Sequence, residues 1–189
     1  MHRQHLARSR TAIAAPCNSN MLAHTSAAMK DDYLVADIGA TNARFAHVQG
    51  HEVSKLVLPT NSYTRADALI DAALAALKVK TIEAACLAIA GPVNAGIGTI
   101  TNLGIDFDQS ALARRLGCEV RVVNDFHALA HAVPCLENLR RLGGNAETEP
   151  GTVRALLGPG SGLGMSVLVP PSGSSKGGPE DWRVLDSEG

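Results

Sequence analysis

Asp37-Ile38-Gly39-Ala40-Thr41-Asn42-Ala43-Arg44 is the stretch on which the reading of this chain turns. An apolar run, Tyr33-Leu34-Val35-Ala36, leads into it, and a second, Phe45-Ala46-His47-Val48, leads out. The pattern is strand, tight turn, strand, with an acidic residue where the first strand ends. Gly39 permits a sharp turn and a close backbone approach to a ligand. Thr41 and Asn42 add side-chain donors, and exposed amide N–H groups in such a turn suit an anion. A carboxylate beside the turn could hold a magnesium ion against a phosphate. An ordinary β-hairpin with an idle polar tip is the plainer alternative, because Gly and Asn are common turn residues.

Composition narrows the field. The chain has 189 residues, enough for one domain with a real core or one and a part. With 46% apolar and 19% charged residues, the balance is that of a soluble globular chain. A net charge of −1 gives no electrostatic case for nucleic acid or an anionic membrane as partner. Only 3% of residues are aromatic, which argues against stacking platforms for single strands. No apolar run approaches the roughly 20 residues that span a bilayer. Cys17, Cys86, Cys118 and Cys135 are scattered without zinc spacing. A reducing, cytoplasmic location is therefore expected, with Cys86 a buried free thiol.

Outward from the first turn, residues 1–29 form a basic, acid-poor leader, expected to be disordered: a transit peptide or, more simply, a start assigned upstream of Met29. Tyr33–Ile38, Arg44–Val48 and Val53–Leu58 read as an antiparallel meander. Leu69, Ile70, Ala73, Leu74 and Leu77 recur at helical spacing, predicting a helix from Arg65 to Lys78. Ala84–Ala90 is a continuous apolar run suited to a strand buried on both faces. Gly96–Thr101 suggests a short extra strand. Asp108 reads as the N-cap of a helix to Leu116, and Val120–Val123 as a strand leading into a helix from Phe126 to Val133, stopped by Pro134. The order βββαβαβα implies a mixed α/β sheet with helices against its faces. Residues 30–135 form this small lobe, and residues 136–189 read as the beginning of a second, larger one, with strands at Val153–Leu157, Met165–Val169 and Trp182–Leu185. The abrupt ending at Ser187-Glu188-Gly189 reads as that of a fragment.

Three further places suit chemistry. Gly158-Pro159-Gly160-Ser161-Gly162-Leu163-Gly164 joins two strands with almost no side chains, so its N–H groups can approach phosphate oxygens; a purely structural turn is the alternative. It is neither a Walker A loop nor GxGxxG. Asn124-Asp125 sits where a buried strand gives way to a helix, at the strand end that borders ligand crevices in open sheets. Helix capping explains it equally. In the functional reading Asp125 is a general base and Asn124 bonds a hydroxylated substrate; phosphoryl transfer tolerates a weak base because positioning and charge neutralisation dominate. Glu188 could accept from sugar hydroxyls or simply be solvated. His127 and His131 lie one helical turn apart, but no third metal ligand accompanies them.

Taken together, these segments resemble the bacterial glucokinases of the actin-like sugar kinase and heat-shock ATPase superfamily. Asp37–Arg44 is similar to the family's first phosphate motif, Ala88-Ile89-Ala90-Gly91-Pro92-Val93 to its connecting segment, and Gly158–Gly164 to its second phosphate loop. Thr101-Asn102 and Val123-Asn124-Asp125-Phe126 resemble its sugar motifs. The five run in the family's order from about residue 30 to the end.

The resemblance implies an actin-like, ribonuclease-H-like fold and ATP-dependent phosphorylation of the 6-hydroxyl of glucose, with ATP and Mg2+ as cofactors and a homodimer as one form. Asp125 would take the hydroxyl proton, and Asn102, Asn124, Asp125 and Glu188 would hold the sugar. Asp37 (through water to the metal), Gly39, Ala40, Thr41, Asn42, Arg44, Gly160, Ser161 and Gly162 would face the phosphates. Glu188 matches the first residue of the family's Glu-Gly-Gly-His motif, of which only Glu-Gly is here. Ile105 stands where tryptophan is common, and Asp186-Ser187 replaces the usual Pro-Gly. The later sugar-binding glutamate and the adenosine-binding segment are absent, so the chain alone is expected to be weakly active or inactive and poorly folded beyond Gly151. Alternatives are a kinase for another hexose, a non-catalytic sugar-sensing module on the same fold and, less favoured, a general ATPase, which would give Asn124-Asp125 no task.

Overall fold

Alternating burial marks the facing parts of the first two strands. In β1, Asp32–Ile38, the residues Leu34, Ala36 and Ile38 point into the core while Val35 and Asp37 point away. β2, Asn42–Gln49, answers in antiparallel register, placing Arg44 opposite Asp37 and Phe45 opposite Ala36. β3, Glu52–Pro59, completes the meander. The computed structural model describes residues 32–136, 139–140, 142–143, 152–159, 163–171 and 181–187. The expected leader, Gly160, Ser161, Gly162 and Glu188 lie outside them.

Helix α1, Ala66–Leu77, buries Ala66, Leu69, Ile70 and Ala73, the last three of them on the stripe predicted from its spacing. It ends at Lys78, whose left-handed φ of 58° turns the chain out. β4, Ala84–Ile89, then runs parallel to β1, and β8, Glu119–Asn124, parallel to β4, giving the order β3-β2-β1-β4-β8. Between β4 and β8 lie β5, Val93–Asn94, β6, Ile97–Ile100, and β7, Ile105–Asp108, a small antiparallel sheet of their own. Helix α2, Gln109–Leu116, follows, with the Asp108 carboxylate accepting from the Ala111 N–H at 3.0 Å as the expected cap. Helix α3, Asp125–Ala132, follows β8 directly. β9, Arg154–Pro159, β10, Leu163–Val169, and β11, Arg183–Ser187, form a third sheet, ordered β11-β10-β9.

Two expectations need correction. The sheet is not covered on both faces by the described residues: α1 and α2 share one core with Leu34, Phe45, Leu87 and Val122, whereas Val35, Val57 and Cys86 on the other face are exposed. β4 alternates buried and exposed positions, and Cys86 is not the buried thiol that an apolar run suggests. The second concerns residues 105–108. Ile105 and Phe107 are buried, and Asp106 between them accepts from the Thr99 hydroxyl at 2.7 Å, making a strand that the sequence reading passed over. The alternation Ile-Asp-Phe-Asp was its signal.

Candidate functional site

Parallel pairing brings three strand ends to one edge. Asp37 of β1 lies beside Ala88 of β4, and Ile89 of β4 lies beside Asn124 of β8, so the turns after all three strands open on the same side. Carboxyl ends of parallel strands are where open sheets bind ligands. Asp37 and Asp125 are close enough here for the charge on Asp37 to act on Asp125.

At the first turn, the Gly39 N–H closes the loop on the Asn42 carbonyl at 3.0 Å, and the Thr60 N–H braces it through the Thr41 carbonyl at 3.0 Å. Gly39 does not adopt the left-handed backbone that a sharp turn could have required. A Cβ built on it would sit 3.5 Å from the Asn42 carbonyl oxygen, an ordinary contact. Its missing side chain therefore leaves space outside the protein, not inside it. Ala40 packs against the core edge, while Thr41 is exposed. Asp37 and Arg44 pair at 3.1 Å with both side chains more than half exposed, so the pair contributes little to stability and its members are accessible to a ligand. Thr60 was not picked out from the sequence: it is fully buried, and its hydroxyl has no hydrogen-bond partner among the described residues.

At the end of β8, the Asn124 carboxamide is committed on both sides. Its Oδ1 accepts from the N–H groups of Phe126 at 2.9 Å and His127 at 3.2 Å, which is N-capping of α3. Its Nδ2 donates to the Gly91 carbonyl at 3.1 Å, tying the cap to the turn after β4. The capping alternative is thus physically present, and one Nδ2 hydrogen is left over for another acceptor.

Asp125 is the first residue of α3 and is partly buried. Burial pushes its carboxyl above the ordinary range; the Phe126 N–H, donating to Oδ1 at 2.9 Å, pulls the other way, and the negative charge of Asp37 pushes it up again. A raised carboxyl is a stronger base once ionised, which lessens the weakness of an aspartate toward an alcohol.

The other predicted residues are less converged. Asn102 stands on the exposed turn between β6 and β7. Gly160, Ser161, Gly162 and Glu188 cannot be placed, lying outside the described residues. His127 and His131 face each other with Nε2 atoms 3.2 Å apart, and among the described residues no group of three potential metal ligands occurs. No helix among them is long and apolar enough to cross a membrane.

A family model described as Glucokinase matches residues 34–189. A Burkholderia orbicola protein named Bifunctional protein glk is 40% identical over 161 residues, which are 82% of this chain and 24% of that protein. A Chromobacterium violaceum protein named Glucokinase is 39% identical over 162 residues, 82% of this chain and 44% of the relative. A crystal structure of glucokinase from an Antarctic psychrotroph superposes with a TM-score of 0.67 at 32% identity, covering 84% of this chain and 50% of that one. The chain thus spans between about a quarter and a half of the length of the proteins it matches. The mixed sheet with its β3-β2-β1-β4-β8 order is the expected actin-like fold.

Proposed function

The chain belongs to the glucokinase family, and from that premise we propose that its site serves ATP-dependent transfer of a phosphoryl group to the 6-hydroxyl of glucose, with Asp125 as general base. The observation that carries the reading is that two carboxylates stand at strand ends on one edge of the sheet, after β1 and β8 with β4 between them, one exposed beside a glycine turn and one partly buried with its carboxyl raised by that burial. Asp125 accepts the proton from the sugar hydroxyl as the oxygen attacks, and its own hydrogen bond from the Phe126 N–H fixes which oxygen faces the substrate. The remaining Nδ2 hydrogen of Asn124 and the side chain of Asn102 hold sugar hydroxyls, with Glu188 accepting from others.

The donor set fits magnesium. Asp37 is exposed and offers only carboxylate oxygens, as a hard cation requires, and such a cation is usually held by one or two carboxylates plus substrate phosphates. Asp37, acting through water, would hold the metal, and Gly39, Ala40, Thr41, Asn42 and Arg44, together with Gly160, Ser161 and Gly162, would bind the phosphates. Bound there, ATP would supply the phosphoryl group, leaving as ADP, and Mg2+ would neutralise the charge that develops. The protein acts in the cytoplasm on a small sugar, with no nucleic-acid or membrane partner.

A coupled glucose-phosphorylation assay, run over a panel of hexoses, tests the proposal. Asp125→Asn should lose about 100-fold or more in kcat while the protein stays folded. Turnover retained by that variant, or a preferred hexose other than glucose, would overturn the assignment of base or substrate respectively.

A further inference from the structure

We propose that Phe126 is a positioning residue, whose ring seated on Gly158 and Gly164 fixes the base-bearing end of α3 against the β9–β10 hairpin. The inference rests on the reading of Asp125 as the base. Three observations carry it.

Gly158 and Gly164 are register partners in adjacent strands, so together they leave one bare patch at the last pairs before the loop. The Phe126 ring occupies it. A Cβ built on Gly158 would lie 2.5 Å from Cζ and 2.9 Å from Cε1, and one built on Gly164 would fall closer still, against Cε2, Cζ and Cδ2. Real Cβ atoms do not tolerate such distances from a ring held by its surroundings, so neither position accepts alanine while the ring stays. The glycines here serve close approach and not backbone conformation, since neither has a positive φ.

The same residue holds the chemistry by its main chain. The Phe126 N–H donates to Asn124 Oδ1 and to Asp125 Oδ1, each at 2.9 Å. One residue therefore clamps the hairpin with its side chain and both motif side chains with its amide. Helix α3 packs against β4 and β8 on one side and β10 and β11 on the other, so it is the joint through which the two sheets are related. A shift of the helix end that unseats the ring carries the donor to the Asp125 carboxylate with it. A displacement of about 1 Å at a reacting group costs on the order of 100-fold in rate.

The test is a double-mutant cycle on the full chain with Gly164→Ala and Phe126→Ala, adding Phe126→Leu as the milder change. Unfolding is followed by urea titration, and the N–H groups of Phe126 and His127 by hydrogen exchange. Gly164→Ala should speed exchange at both N–H groups by about ten-fold, although the substitution lies in another sheet, and the effect should nearly vanish in the Phe126→Ala background. Simple additivity, or a response confined to the hairpin, would overturn the contact. In the phosphorylation assay, Phe126→Leu should lower kcat about ten-fold or more with the glucose KM changed less than about two-fold. Wild-type kcat in Phe126→Leu would overturn the positioning role while leaving the base assignment intact. A wild-type chain that neither binds nor phosphorylates glucose would instead overturn the functional reading and the positioning role built on it, and the exchange data would still decide whether the ring couples the two sheets.

Discussion

Asn124→Ala separates what Asn124 does for the fold from what it does for a ligand. Two kinds of bond are lost. Removing the carboxamide oxygen takes the acceptor from the Phe126 and His127 N–H groups, and loss of an N-cap costs about 1 kcal/mol. Removing Nδ2 breaks the partly buried bond to the Gly91 carbonyl, worth about another 1 kcal/mol. The expected loss is about 2 kcal/mol, a substantial share of the 5–15 kcal/mol, roughly, that holds a domain together. Asn124→Ser keeps a capping oxygen but loses the Gly91 tether, so it should cost about 1 kcal/mol. Urea unfolding followed by far-ultraviolet circular dichroism gives both values from midpoint and slope. If alanine costs under about 0.5 kcal/mol, or if serine and alanine cost the same, the capping and tethering account is wrong. Should Asn124 act on the sugar alone, both variants would raise the glucose KM with stability unchanged.

Asp125→Asn should behave differently with pH. The folded protein raises the Asp125 carboxyl above its ordinary 3.8, so ionisation is disfavoured by folding, and the contribution present at low pH is lost as pH rises through the folded value. The asparagine variant should therefore unfold at a higher temperature than wild type at pH 7 and gain nothing below about pH 4; a pH-independent difference refutes this. Gly39→Ala should leave stability within about 0.5 kcal/mol, because its Cβ meets only an ordinary contact, yet weaken nucleotide binding measured by calorimetry. Unchanged nucleotide affinity would remove the turn from the phosphate site. Thr60→Val removes a buried hydroxyl with no partner among the described residues and keeps the shape, so it should raise stability by about 1 kcal/mol; a loss would mean that the hydroxyl is satisfied.

Much of the fold was legible because local signals and global packing agree. The helical stripe Leu69, Ile70, Ala73 needed only its spacing, and Asp108 announced α2 as its cap. The run Ala84–Ala90 misled, since continuous apolarity records what a strand could bury and not what covers it; Cys86 faces the uncovered side. Ile105–Asp108 escaped notice because four residues of alternation are short beside the helix that follows. In the site, residue types and strand ends placed Asp37 and Asp125, whereas the Arg44 pair, the Gly91 tether and the Phe126 seat depend on register and on contacts across 32 or more positions of sequence for the last two. No local pattern encodes those.

Asn124, Asp125 and Phe126 show why a site residue can look like a structural one and be both. A helix beginning at a strand end has N–H groups without partners, and the cheapest acceptors are the side chains of the residues at the turn itself. Capping by Asn124 and the Phe126 N–H bond to Asp125 therefore arise from the same need that orients the carboxylate toward the strand ends. A carboxylate held by the backbone that also starts its helix cannot wander without fraying that helix. The cost of misplacing Asp125 is thereby tied to the stability of α3, and through the Phe126 ring to the second sheet. Under the proposed role, the base is oriented by the main chain of the segment that carries it.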